Sequence, residues 1–261
     1  NKINKKIFWI ASYPKSGNTW MRAIITSLFF TKDGNFNFNL LKIVENFEKL
    51  QRFEFIKFLN KYDFDRLKDL KTISKYWIDA QKRVTVSKDF VFFKTHSANM
   101  SLYNNEFTNA DNSLGLIYLV RDPRDIAISY SKHQAKDINE TIKILTTKGS
   151  LTFSPKESYP IILSRWDEHY ISWQYLNVPK LIIKYETLLN ETKSVLYEIV
   201  NFFTNNYGIN FSNIEIKIDN IIKSTTFNKL REYEKKYGFK EAKNTDFFRK
   251  GQAMQWKYEL T

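Results

Sequence analysis

Lys94 and His96 close the run VFFKTH two residues apart, a spacing that puts both side chains on one face of an extended chain. A cation and an imidazole side by side suit transfer of a charged group to a hydroxyl, because one meets the charge while the other takes the proton. The chain has three histidines. His133 and His169 fall within helical segments, so His96 is the best general-base candidate near neutral pH. A structural histidine at a strand end is the competing reading.

A second group sits in ASYPKSGNTWMRAI, where Lys15, Ser16, Gly17, Asn18 and Thr19 bring together a cation, two hydroxyls and a flexible glycine at the start of a helix. Main-chain N–H groups and the helix dipole at such a turn hold phosphate or sulfate. It is not a Walker A loop, which needs G-x-x-x-x-G-K-[ST]; here the lysine precedes the glycine. A plain structural turn rich in Gly and Ser stays open.

The third group, LIYLVRDPRDIAISYSKH, offers Arg121 and Ser129 from a strand, a basic turn and a helix. Arginine suits bidentate phosphate recognition. The rival reading pairs Arg121 and Arg124 with Asp122 and Asp125 in a surface salt-bridge cluster. Near the end, FFRKGQAMQWK adds Arg249 and Lys250 before Gly251, with a lysine-rich tail as the alternative.

These residues need strands and helices to position them. Ile7 to Ser12 reads as a buried strand leading into a helix that starts near Asn18 or Thr19, both good capping residues, with Met21, Ile24, Ile25 and Leu28 on one face. Asn39 to Asn60 reads helical, and Val91 to Thr95 and Leu116 to Val120 read as strands. Asp122-Pro123 opens a helix running to about Gln134. Asp137 to Pro160 carries Gly149, Ser150, Pro155 and Ser158 and reads as a loop, a candidate lid with room for a short helix. Beyond it, Ile161 to Leu176 reads helical, Leu181 to Tyr185 as a strand, and Leu188 to Phe203 and Ser212 to Lys236 as helix. Strands alternating with helices predict an α/β fold with a central parallel sheet, whose ligand sites lie beyond the carboxyl ends of its strands. With 261 residues and no internal repeat or linker, residues 1–261 are expected to form a single domain.

Composition narrows the chemistry. Zero cysteines exclude disulfides, thiol nucleophiles and Cys-ligated zinc. The formal charge of +13 favours anionic partners, although abundant lysine, asparagine and isoleucine also fit many solvated lysines. Apolar runs such as Gly115 to Val120 are too short for a membrane span, and no signal-peptide pattern is present, so a cytoplasmic location is expected.

Together and in this order, the four groups resemble the sulfotransferase family, in particular the soluble, cytosolic type that uses 3′-phosphoadenosine 5′-phosphosulfate (PAPS). The resemblance covers nearly the whole chain. YPKSGNTW is similar to the 5′-phosphosulfate loop, FKTH to the catalytic strand end, LVRDPRDIAISY to the 3′-phosphate segment and RKG to the loop closing over that phosphate. IIKYETL and STTF are weaker matches to the family's Y-E-D-L and adenine-side T-S-F stretches.

The resemblance implies a P-loop-NTPase-like fold with a phosphosulfate-binding loop in place of Walker A. It implies that Lys15, Ser16, Gly17, Asn18 and Thr19 bind the phosphosulfate, that Trp20, Thr225, Phe227 and Tyr185 form the adenine side, and that Arg121, Ser129, Arg249, Lys250 and Gly251 hold the 3′-phosphate. His96, Lys15, Lys94 and Ser129 become the catalytic set, with Ser129 restraining Lys15 before the acceptor arrives. PAPS would be the co-substrate, PAP the product, and no metal would be required.

Three departures stand out: Asn18 where threonine or serine is frequent, and Met254 and Gln255 in place of the usual G-D before Trp256. The expected partner is a small-molecule acceptor, an alcohol or phenol before an amine, with no nucleic acid and no membrane; the oligomeric state is open. A carbohydrate-directed sulfotransferase and a nucleotide-binding protein without transfer activity are the alternatives. A nucleotide kinase would want a Walker lysine and Mg²⁺ ligands, and a nucleic-acid binder gives Lys94 and His96 no task.

Overall fold

The structure is a computed structural model that describes residues 6–56, 69–85, 90–152, 158–242 and 246–260. Five strands, β1 (Lys6–Ser12), β2 (Glu45–Asn46), β3 (Phe90–Thr95), β4 (Ser113–Val120) and β5 (Lys180–Lys184), form a parallel sheet in the order β2-β3-β1-β4-β5. β1 is buried along almost its whole length, the pattern of a strand covered on both faces, as parallel sheets require. Its register with β3 pairs Ile10 with Lys94 and Ala11 with Thr95. The expected α/β sheet with helices between its strands is what the chain forms.

Besides a single helical turn at Leu70–Ile73, the α-helices described are α1 (Asn18–Phe30), α2 (Trp77–Thr85), α3 (Pro123–Gln134), α4 (Ile138–Thr146), α5 (Trp166–Gln174), α6 (Tyr185–Asn190), α7 (Thr192–Tyr207), α8 (Ile214–Ser224), α9 (Phe227–Tyr237) and α10 (Trp256–Glu259). α3 starts as its sequence dictates: Asp122 accepts the Arg124 N–H at 2.9 Å and Pro123 occupies the first turn. Met21, Ile24, Ile25 and Leu28 are all buried on α1.

Several expected helices are corrected. Between Asn39 and Asn60 lie two 3₁₀ turns, Phe38–Lys42 and Leu50–Ile56, with β2 between them; residues 57–60 fall outside the described residues. Pairing decides this, because β2 aligns with β3 and the Phe47 N–H donates to the Lys94 carbonyl. Ile161–Ile162 is a strand that pairs with Leu151–Thr152, and α5 begins only after Ser164 turns left-handed at φ 55°. The expected loop from Asp137 to Pro160 contains α4, the short helix it had room for, and the strand Leu151–Thr152, while residues 153–157 lie outside the described set. The strand expected to reach Tyr185 stops at Lys184. Leu188 to Phe203 is covered by α6 and α7 with a break at Glu191, and Ser212 to Lys236 by α8 and α9, the latter capped by Thr226.

The chain forms two compact units, each assembled from separate stretches. The first comprises 1–13, 45–118 and 144–180, and the second 14–44, 119–143 and 181–261. An aromatic cluster fills the first. Trp9 lies 5.3 Å from Phe47, 5.7 Å from Phe107 and 6.0 Å from Trp173, centroid to centroid, and its indole donates to Ser113 Oγ at 2.9 Å. Such pairs add about 0.5–1.5 kcal/mol each beyond burial. The second unit has an aliphatic core drawn from α1, α3, α6, α7 and α8, including Ile24, Ile126, Leu188, Ile199 and Ile218.

Candidate active site

The second unit gathers the expected anion and nucleotide residues. Left-handed backbone at Lys15 (φ 65°) and Gly17 (φ 96°) bends the main chain sharply before α1, the kind of curl that forms an anion-binding concavity. Gly17 itself, rather than Asn18 or Thr19, is the residue before the helix, and as a glycine it offers no side-chain cap. That corrects the expected cap and leaves the helix end to be satisfied by something else. A Cβ on Gly17 would sit 2.8 Å from Tyr185 Cδ2, so only glycine lets the turn lie against that ring.

Ser16 is fully buried, and its Oγ has no hydrogen-bond partner among the described residues. An orphaned buried hydroxyl costs about 1–3 kcal/mol, which an anion's oxygen would recover. Thr19 already engages an anion: its hydroxyl donates to Glu241 Oε2 at 3.2 Å, while Arg22 Nη1 holds Glu241 Oε1 at 2.6 Å. Lys15 Nζ lies 3.8 Å from the centre of the Phe247 ring.

Arg121 binds this turn to the end of the chain. Its guanidinium donates to the Lys15 carbonyl at 2.8 Å and the Gln252 carbonyl at 3.1 Å, and stacks 4.2 Å from the Tyr185 ring centre. Its Nε is buried with no partner among the described residues. The salt-bridge reading therefore holds for Arg124, which pairs with Asp122 at 2.6 Å, and not for Arg121. Asp125 adds to the charge around Arg124, but its hydrogen bonds go elsewhere. Its carboxylate accepts the Met254 N–H at 2.7 Å and the Trp256 N–H at 3.1 Å, fastening the terminal loop to α3.

On the adenine side, Trp20 Nε1 donates to Thr225 Oγ1 at 3.3 Å, and the Trp20 and Tyr185 rings meet edge-on at 6.4 Å. Gly251 (φ 61°) packs so tightly that an added Cβ would fall 2.4 Å from the Phe227 ring. Arg249 donates to Gln255 Oε1 at 2.5 Å, and Lys250 and Lys132 both bond Glu259. Those two ammonium groups pull the Glu259 carboxyl down to about 2. Met254 takes a left-handed φ of 60°, where glycine is the ordinary occupant, and Gln255 receives Arg249, so both departures have a place in the closed loop. Ser129 is half-buried on α3.

The first unit holds Lys94 and His96. Both are half-exposed, with Thr95 buried between them, the alternation expected of a continuing strand. His96 Nδ1 lies 2.8 Å from the Ser12 carbonyl oxygen, which can only accept, so Nδ1 carries the proton and the neutral ring has its lone pair on Nε2. That is the tautomer a base needs.

Two residues here escaped the sequence reading. Glu48 is buried, with one oxygen receiving the Thr95 hydroxyl and the other without a partner among the described residues; burial raises its carboxyl, opposed by the hydroxyls of Thr95 and Ser97 and the charge of Lys94. No local signal marks it, since it sits in a stretch that reads as helix. His169, set aside as helical, donates from Nε2 to the His96 carbonyl at 3.0 Å.

A Sulfotransferase domain model matches residues 5–261. The chain belongs to the sulfotransferase family. Among family relatives, it is 23% identical to the luciferin sulfotransferase of Photinus pyralis over 226 residues, which is 85% of this chain and 56% of that protein. It is 21% identical to the amine sulfotransferase of Oryctolagus cuniculus over 97% of this chain and 75% of that one. It therefore spans little more than half the length of the first relative. A mouse sulfotransferase complexed with PAP shares the fold at a TM-score of 0.56 and 19% identity, over 97% of this chain and 78% of that one. Retinol dehydratase with androsterone and the inactive cofactor PAP does so at 0.58 and 17%, over 96% and 75%. The sulfotransferase fold is P-loop-NTPase-like, as expected. Among the described residues no helix is long and apolar enough to cross a membrane, and no cluster of His, Cys, Asp and Glu could hold a metal ion.

Proposed function

We propose that this chain is a PAPS-dependent sulfotransferase that moves the sulfuryl group to a hydroxyl, less readily an amine, of a small-molecule acceptor by direct in-line displacement. One observation carries the donor half. The Lys15–Thr19 turn, Arg121 and the Arg249–Gln252 loop belong to one compact unit, joined through Arg121, and polar atoms of Ser16 and Arg121 are buried without partners among the described residues. Residues that fit anions and an adenine, with orphaned donors among them, match a phosphorylated adenosine carrying a sulfate. PAP bound in solved relatives of the fold supports the same donor.

PAPS supplies the sulfuryl group. His96 takes the acceptor's hydroxyl proton on Nε2 as that oxygen bonds to sulfur, and the bond from sulfur to the bridging oxygen breaks with its electron pair going to the phosphate. Lys15 meets the charge developing on that bridging oxygen, Lys94 the charge on the transferring group, and Ser129 restrains Lys15 until the acceptor is in place. Lysines thus provide the positive charge that Mg²⁺ provides in many phosphoryl transfers, and no metal is needed. The cytoplasm, where PAPS and small acceptors meet, is the proposed location.

Mass spectrometry of a mixed phenol, alcohol and amine pool after incubation with PAPS should show products heavier by one SO₃ group, with PAP accumulating in equal amount. PAPS binding without any sulfated product would favour a nucleotide binder, and sulfated glycans alone a carbohydrate-directed enzyme.

A further inference from the structure

The segment after β3 carries the proposed base, and one helix face holds it in place. His169, Ser172 and Trp173 on α5 are spaced three and four residues apart, so they share a face, and all three are buried. His169 Nε2 reaches the His96 carbonyl at 3.0 Å, Trp173 Nε1 donates to the Ser97 carbonyl at 3.0 Å, and Ser172 Oγ accepts the Asn99 N–H at 2.9 Å. Three anchors on the four-residue stretch 96–99 leave little room for the main chain to move.

Donor and acceptor logic orders the deeper layer. A carbonyl oxygen only accepts, so His169 Nε2 must carry the hydrogen; its Nδ1 then accepts, and the Tyr118 hydroxyl at 2.8 Å donates to it. The ring is fully buried, with Tyr13 edge-on at 5.3 Å. Burial lowers its imidazole to about 4, which keeps it neutral. On the other side, His96 is tied by its own ring to the Ser12 carbonyl at 2.8 Å.

We propose that His169 is a positioning residue: through its bond to the His96 carbonyl, backed by Tyr118, it keeps the His96 ring on Ser12 and so keeps the lone pair on Nε2. This rests on the reading of His96 as the base. Without His169 the His96 main chain is released, the Nδ1 bond to Ser12 is lost for part of the time, and the ring redistributes its proton between its two nitrogens.

With three histidines in the chain, imidazole ¹⁵N spectra of the histidine-labelled protein give separable signals, assigned by single substitutions. In the unaltered chain His96 should be the Nδ1–H tautomer and His169 the Nε2–H tautomer. His169→Leu should turn His96 into a mixture of tautomers, His169→Gln, whose amide can still donate to the carbonyl, should restore most of the Nδ1–H form, and Tyr118→Phe should fall between. With PAPS and a phenol panel, kcat should drop about 10–100-fold in His169→Leu, recover in His169→Gln, and leave the KM for PAPS within about twofold. An unchanged His96 tautomer in folded His169→Leu, or in Tyr118→Phe if the leucine variant does not fold, overturns the positioning role. A disturbed tautomer with undiminished turnover instead overturns the assignment of His96 as base.

Discussion

The two units hold different parts of the proposed chemistry by different physical means. In the second, the residues proposed to meet anions lie in loops: left-handed turns at Lys15, Gly17 and Gly251, cations from three stretches of chain, and buried donors at Ser16 and Arg121 without partners among the described residues. In the first, His96 is held by a hydrogen-bonded network of Ser12, His169 and Tyr118. Charge recognition tolerates a turn that adjusts to its ligand, because Coulombic attraction is long-ranged. Proton transfer does not, because it needs one nitrogen in one tautomer within hydrogen-bond reach.

The sharpest way to break this comparison is His96→Ala. Turnover should fall about 10²–10⁴-fold while PAPS affinity by calorimetry stays within about twofold. A comparable loss of PAPS affinity would merge the two tasks into one site function.

Acid should act on the first unit. The His169 imidazole lies at about 4 in the folded protein against 6.5 for a free histidine, so the unfolded chain binds more protons between those values. Stability is then fully present above about pH 6.5 and falls as the pH drops toward 4, by on the order of 3 kcal/mol from this group. Urea midpoints measured from pH 7 to 4 should show a steeper decline in the parent than in folded His169→Gln.

Arg121→Ala should weaken PAPS binding about 10–100-fold, and more than it weakens the analogue lacking the 3′-phosphate. Equal losses would make Arg121 a strut between the Lys15 and Gln252 carbonyls and nothing more. Smallest is Gly251→Ala, with strain of about 1–2 kcal/mol from its φ of 61° and the Phe227 contact, read as a lower melting temperature with His96-dependent chemistry retained at low temperature.

Much of the fold was legible because it rests on local chemistry. The apolar run at Ile7 had to be buried, Asp122-Pro123 had to start a helix, and the non-Walker order of Lys15 and Gly17 pointed away from ATP chemistry. Helical periodicity misled from Asn39 to Asn60 because β3 offered β2 a hydrogen-bonded edge that no local pattern announces. The hydrogen bonds of Asp125 were hidden for a similar reason: its neighbours in sequence are arginines, but its carboxylate accepts the N–H groups of Met254 and Trp256.

By itself the sequence determined which residue types could meet an anion or take a proton, since side-chain chemistry and short-range spacing belong to the chain. Only the tertiary structure decided what each one faces. It tied Arg121 to two carbonyls, left Ser16 Oγ without a partner among the described residues, and set His169 beneath His96, because hydrogen bonds between residues 73 positions apart depend on how the chain packs.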